Sequence, residues 1–279
     1  MKKALLVGLN KYKQPGSDLR GCVNDVTNMR TLLSDTYKFK LDNIRLLFDS
    51  RATKKGIINR LNWLVLDAKP GDELVFHYSG HGSQVRDRNG DELKDNKDEI
   101  LCPHDLDWND PFTDDILAGI FKKLTKGAFL TVLIDACHSG SMTRSFFVAP
   151  EYREKSKKSR DRFLVPPIDI QHRSHNIDIS TSGIGKKQNS KGYVVDQNHV
   201  LISGCRDNQT SADAYIDRKY QGAFTAMLLK AIYNNNQNKT WEQIHRGVKK
   251  RLCRTRYSQI PQLSGNSNLI TRPIFGGTK

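Results

Sequence analysis

Residues 128–140 read AFLTVLI followed by DACHSG, an apolar run that stops at an acid, a thiol and an imidazole. An apolar run of this length with no polar alternation is expected of a strand buried on both faces, as in a parallel sheet covered by helices. A cysteine that only packs would sit better inside the run than at its charged edge. The placement of Cys137 therefore points to chemistry at the strand's carboxyl end.

Outward from this run the pattern repeats. Ala4–Leu9, Ile44–Phe48, Glu73–Tyr78 and, later, His199–Gly204 are short apolar runs bounded by turn or polar residues, and each predicts a buried strand. Helical spacing fills the gaps. Val23–Leu33 places Val26, Met29, Leu32 and Leu33 on one face, and Lys54–Leu66 does the same with Ile57, Ile58, Leu61 and Val65; Ile116–Leu124, Ala223–Tyr233 and Trp241–Leu252 follow. Strands alternating with helices predict an α/β protein with a mainly parallel sheet and helices on both faces. Sites in such sheets form at the carboxyl ends of strands.

The third run also ends unusually, in FHYSGHGSQ (76–84), with His81 between Gly80 and Gly82. Two strands thus deliver His81 and Cys137 to the same expected edge. A thiol nucleophile needs a base to form thiolate and an acid to protonate the leaving amine, and one imidazole serves both. Flanking glycines let a substrate backbone pass close and leave N–H groups free for an oxyanion. Taken singly, a cysteine is usually a core residue and a histidine a satisfied polar one. Together at two strand ends they favour catalysis. Asp135 lies two positions before Cys137 and so faces the same side of its strand.

The rest of the chain sets bounds. At 279 residues it fits one large α/β domain. The net charge of +15 attracts polyanions such as nucleic acid or anionic membrane. However, the basic stretch 151–191 has only Tyr152 and Phe163 to interleave with its charges, so nucleic acid is not expected as a partner. Five scattered cysteines, an odd number with no CxxC pair and no secretory signal, point to a reducing cytoplasm. No run approaches the roughly 18 apolar residues of a membrane span. Residues 151–198 break the strand–helix rhythm with EYREKSKKSRDR, Pro166-Pro167 and STSGIGKKQNSKG, which predicts a long exposed basic linker. No Walker A or GxGxxG motif is present, and His77 with His81 sits on strand and turn rather than on a zinc-binding helix.

HYSGHG followed by DACHSG resembles the metacaspases and orthocaspases, and LRGCVNDV (19–26), DEILCPHD (98–105), ISGCRDNQTSAD (202–213) and YSQIPQLSG (257–265) extend the likeness over nearly all the chain outside 151–198. The 56 residues from His81 to Cys137 compare with about 50 in caspases. The resemblance implies a caspase-haemoglobinase fold with about six sheet strands in a single domain. Its p20-like part would span 1–150 and its p10-like part 199–279, joined by the linker 151–198. It also implies a monomeric cysteine endopeptidase with Cys137 as nucleophile and His81 as general acid/base. The N–H groups of Gly82 and Cys137 would hold the oxyanion. His138, next to the nucleophile in sequence, is expected to point away from it.

The resemblance further implies that Asp25 and Asp135 form the base of the S1 pocket, with Cys22 and Ser79 as walls. That pocket selects protein substrates with Arg or Lys before the cleaved bond. Asp25 as a helix-capping acid is the competing reading. In the acidic stretch 86–99 and FTDD (112–115), the spacing does not fit an EF-hand. The resemblance assigns Asp98, Glu99, Asp114 and Asp115 to Ca²⁺ as an activator, with Asp95 more loosely aligned across the insert LKDNK. The linker, rich in Lys and Arg, is expected to be cut after such residues by the enzyme itself or by an upstream protease, switching on a zymogen. The readings from other classes are a catalytically silent caspase-like scaffold and a basic nucleic-acid-binding protein.

Overall fold

The computed structural model describes residues 1–86, 97–137, 159–172, 199–206, 209–233, 238–255 and 257–278. Each apolar run becomes a strand of one sheet: β1 (Lys2–Gly8), β2 (Ile44–Phe48), β3 (Glu73–Ser79), β7 (Phe129–Asp135) and β9 (His199–Ser203). The sheet order is β12-β9-β7-β3-β1-β2, with only the edge strand β12 (Gln262–Gly265) antiparallel. This is the six-stranded, mainly parallel sheet expected.

Successive residues on a strand face opposite sides, and the core divides accordingly. Leu5 and Val7 of β1 join Ile57, Leu61, Leu117 and Phe121 from α2 (Lys54–Val65) and α3 (Asp114–Phe121). Ala4 and Leu6 join Val26 and Met29 of α1 (Cys22–Thr31), with Leu228 and Trp241 from the helices Ala223–Tyr233 and Trp241–Leu252. Helices therefore cover both faces of the sheet.

Register then aligns the strand ends. Gly8 pairs with Ser79 and Ser79 with Asp135, so the loops after β1, β3 and β7 open at one edge. Two small antiparallel sheets that hydrophobic periodicity does not announce stand at this edge. One is β4 (Gly82–Arg86), β5 (Lys97–Leu101) and β6 (Phe112–Thr113). The other is β8 (Ser159–Asp161), β10 (Ala212–Ile216) and β11 (Lys219–Gly222). Asp217 and Arg218, both with positive φ, make the two-residue turn between β10 and β11. That turn fixes a register in which Asp213 faces Gly222.

Within 159–172 the expectation of an exposed, irregular linker fails at Arg162 and Leu164 and at two short elements, while Arg160, Asp161, Val165 and Ile168 are exposed. Residues 159–161 form β8, Arg162 and Leu164 are buried, and a short helix covers Ile168–His172. The reason is electrostatic: the charged run supplies the one cation that an acidic pocket takes up. The remainder of 151–198 lies outside the described residues, as do Asp95 and His138.

Candidate active site

His81 and Cys137 follow the carboxyl ends of β3 and β7, which are paired neighbours. The loop after β1 fixes the imidazole. Its Nε2 lies 2.8 Å from the Ser17 carbonyl, which can only accept, so Nε2 carries the proton and Nδ1 is left as the basic nitrogen. Nδ1 is buried and has no hydrogen-bond partner among the described residues. The Tyr12 hydroxyl accepts the His81 N–H at 2.7 Å, and the two rings lie 4.9 Å apart. Burial pushes the His81 pKa down to about 4, keeping the ring neutral. The Cys137 thiol is buried and rests on the Ser211 main chain, accepting its N–H and lying 3.5 Å from its carbonyl oxygen.

Between these groups runs the segment Ser159–Leu164. Asp161, Arg160 and Ser159 pair antiparallel with Ala212, Asp213 and Ala214 of β10, and the Arg162 N–H donates to the Ser211 carbonyl at 3.0 Å. The Arg162 carbonyl oxygen accepts two N–H groups, from Gly82 at 3.0 Å and from Cys137 at 3.2 Å. Two main-chain donors converging on one carbonyl are the geometry of an oxyanion hole.

The Arg162 side chain is fully buried among three carboxylates. Nη2 lies 2.8 Å from Asp25 and 3.1 Å from Asp213, and Nη1 lies 3.2 Å from Asp135. Nη1 also donates to Ser79 Oγ at 2.9 Å and to the Asp135 carbonyl at 3.1 Å. Each acid also has hydrogen-bond donors besides the guanidinium. Asp25 accepts from Ser79 Oγ and the Gly222 N–H, Asp213 from the N–H groups of Arg20 and Gly21, and Asp135 from Ser211 Oγ and from Thr225. Burial lifts the Asp25 pKa to about 7 against the opposing pull of Arg162. Burial also raises the Cys22 thiol, which stays neutral in the pocket wall beside Ser79. Although Asp25 is in the first turn of α1, its carboxylate is spent on Ser79, Arg162 and Gly222, and no side-chain bond caps that helix. The helix-cap reading of Asp25 fails for that reason.

Sequence reasoning named Asp25, Asp135, Cys22, Ser79, His81, Gly82 and Cys137, and the structure brings them together. It missed Arg162, Asp213, Ser211 and Gly222. Ser211 and Asp213 lay inside the quoted QTSAD, and their i, i+2 spacing was the signal that both face one side.

The acidic corner is separate. Ile100 pairs with Thr113, so β5 carries Asp98 and Glu99 beside the start of α3, where Asp114 and Asp115 stand. Asp98 and Asp114 are buried. These are oxygen donors of the kind a hard cation takes. Among the described residues, no three His, Cys, Asp or Glu side chains are grouped closely enough to hold a metal ion.

A sheet that delivers a histidine and a cysteine from adjacent strands to a cleft with paired N–H donors defines a cysteine peptidase of caspase type. The comparisons agree. The metacaspase peptidase C14 domain matches residues 2–145. Metacaspase-1A of Aspergillus oryzae is 34% identical over 304 residues, spanning 99% of this chain and 71% of its own length. Metacaspase-1 of Ajellomyces capsulatus is also 34% identical, over 98% of this chain and 82% of its own. The chain belongs to the metacaspase family, whose members are cysteine peptidases acting on proteins. Caspase-1 from Spodoptera frugiperda, 13% identical, superposes with a TM-score of 0.58 over 100% of this chain and 90% of its own, which shows the shared fold. A Geobacter sulfurreducens protein of solved structure does so at 0.69, with 24% identity over 100% and 99% of the two chains. Among the described residues no helix is long and apolar enough to cross a membrane.

Proposed function

We propose that the protein is an endopeptidase that cuts after Arg and Lys with Cys137 as nucleophile and His81 as general acid/base. One observation carries this reading: the Arg162 side chain fills the acidic pocket while its carbonyl lies between the N–H groups of Gly82 and Cys137. In the reaction the Cys137 thiol leaves Ser211 and passes its proton to His81 Nδ1. The thiolate adds to the carbonyl carbon, and the two N–H groups hold the oxyanion. The imidazolium protonates the leaving amine as the peptide bond breaks, which leaves a thioester. His81 then takes a proton from water, which adds to the thioester and releases the acid and the free thiol. A guanidinium reaches all three acids with two nitrogens; a lysine ammonium, as a point charge, meets fewer, so Arg is the better substrate. A fluorogenic peptide panel varying the residue before the bond tests this. Arg and then Lys should be cut, and a preference for Asp overturns the pocket assignment.

The same geometry supports a zymogen that cuts its own linker. The bond held in register is Arg162–Phe163, within the charged run 153–162. Incubation of the intact chain should give a new N-terminus at Phe163 by mass spectrometry, absent from Cys137→Ala. New termini only in the folded core would reject self-processing here.

Calcium enters through the acidic corner. Asp98, Glu99, Asp114 and Asp115 are the oxygen donors that a Ca²⁺ ion would draw together into one site. Since Gly82 pairs with Leu101 on β5, ordering this sheet would steady a donor of the oxyanion hole. Millimolar Ca²⁺ is expected to raise peptide turnover, and Asp114→Ala with Asp115→Ala to remove the rise. Equal activity in chelator and in calcium rejects it.

A further inference from the structure

We propose that the cleft has a second specificity site on the leaving-group side of the bond, which takes an aliphatic side chain at the second residue after the cut. The inference rests on the reading above, in which Ser159–Leu164 lies in the cleft as a substrate does.

Gly82 brackets the residue that follows the bond. Its N–H donates to the Arg162 carbonyl and its carbonyl accepts the Leu164 N–H, each at 3.0 Å, with Phe163 bridged between them. Ser83 Oγ then donates to the Leu164 carbonyl. So β4 clamps the chain at three main-chain points, and two of them belong to Leu164. This clamp sets which side chain faces inward. Leu164 is 8% exposed, whereas Val165 is 52% exposed and Phe163 is half-buried. The Leu164 side chain joins the apolar cluster that contains Val85 of β4 and Ile100 and Leu101 of β5.

The chemistry of the site follows from these surroundings. An aliphatic group completes the cluster and removes apolar surface from water. A carboxylate at that position would be desolvated with no cation from the cluster to pair it. Ser83 is itself fully buried, so its hydroxyl needs a carbonyl in this place or water to replace it. The site therefore reads the backbone of any substrate but the side chain of an aliphatic one. Pairing this site with the acidic pocket explains how one of many Lys and Arg residues in a charged run is selected. In the run 153–162, only Arg162 is followed two residues later by an aliphatic side chain.

The test uses internally quenched peptides of the sequence Ser-Arg-Asp-Arg-Phe-Leu-Val-Pro, with Leu replaced by Ile, Ala or Asp. The enzyme is the wild-type chain after its own processing. The Asp peptide should lose at least about tenfold in kcat/KM, with Ala intermediate and Ile close to Leu. Replacing Phe by Ala or Val by Asp should change the rate less than replacing Leu by Asp. Equal rates for Leu and Asp, or stronger discrimination at the first or third residue after the bond, overturn the proposal. In that case cleavage after Arg continues and the function stands. Loss of all cleavage after Arg, including in the Leu peptide, instead removes the functional reading on which the site rests.

Discussion

Cys137→Ala and His81→Ala are each expected to lower kcat/KM for an Arg peptide by at least about a thousandfold while leaving the fold intact. The two side chains have different reasons to be indispensable. The Cys137 sulfur rests on the Ser211 main chain and beside the Cys205 thiol, and alanine keeps the main-chain N–H that donates to the Arg162 carbonyl, so the variant should still fold. His81 is aimed by Ser17, whose carbonyl accepts the Nε2–H hydrogen bond and leaves Nδ1 as the nitrogen able to accept a proton. The occupied cleft adds a pH signature. With burial holding His81 near 4, the imidazole stays neutral, and so a base, as pH falls from neutrality until it nears 4. In the intact Cys137→Ala chain, where the segment stays in place, the His81 ring should remain neutral well below pH 6.5 by NMR titration, whereas self-cleavage rates also carry the titration of Asp25 near 7. In the processed chain, where water returns to the cleft, the ring should titrate at a higher pH. Coincident titrations would show that burial under the segment does not set the base. Retention of more than trace turnover by Cys137→Ala would remove the nucleophile assignment.

The parallel sheet was legible because its strands are buried on both faces, and a continuous apolar run is hard to mistake. The histidine and cysteine were legible for a related reason, since each breaks such a run at its end. What stayed hidden has little apolar signal. Strands β4 and β8 carry Gly82-Ser83-Gln84 and Ser159-Arg160-Asp161, with Val85 the single apolar side chain on either, so main-chain pairing does more than side-chain burial to hold them in place. Arg162 was hidden for a deeper reason. In sequence it is one of many charges in a run that reads as solvated. Its partners are residues 25, 135 and 213, from α1, β7 and β10, and only the closed fold brings them to one point. Neither the composition of the run nor its periodicity contains that information.

The pocket itself is costly to build. Three carboxylates facing one guanidinium, each at most 1% exposed, are desolvated charges, and a buried ion pair is weak support for stability. Under the proposed function their arrangement serves selectivity. Main-chain N–H groups of Arg20, Gly21, Gly222 and Thr225 hold the acids in place, so a cation arrives at a preformed site. The acids do not have to be gathered by the substrate.

Gly222→Ala is expected to abolish Arg cleavage without altering any acid. A methyl group on Gly222 would stand 2.1 Å from Asp135 Oδ2 and 2.6 Å from Arg162 Nη1, so one of them has to leave. Asp135 is poorly able to move, because Ser211 Oγ at 2.6 Å, Thr225 Oγ1 at 2.6 Å and the Thr225 N–H at 3.0 Å all grip its carboxylate. The guanidinium is therefore the group displaced. Breaking one side of a buried ion pair costs about 3–5 kcal/mol, so kcat/KM for an Arg peptide should fall at least about a hundredfold. Lysine is narrower at its tip and should lose less, which lowers the Arg-to-Lys ratio. The Gly222 N–H survives in alanine, so Asp25 keeps that donor. Self-cleavage at Arg162–Phe163 should fall with peptide turnover, because the same guanidinium occupies the same pocket. Two controls separate a blocked pocket from a misfolded chain. The chain should still melt in one cooperative transition, lowered by about 6–20 degrees for that 3–5 kcal/mol, and alkylation of Cys137 should remain at least as fast, since the segment covering it is held less tightly. If Gly222→Ala folds and still cuts the Arg peptide within about threefold of the wild-type rate, the guanidinium does not bind against Gly222 during turnover.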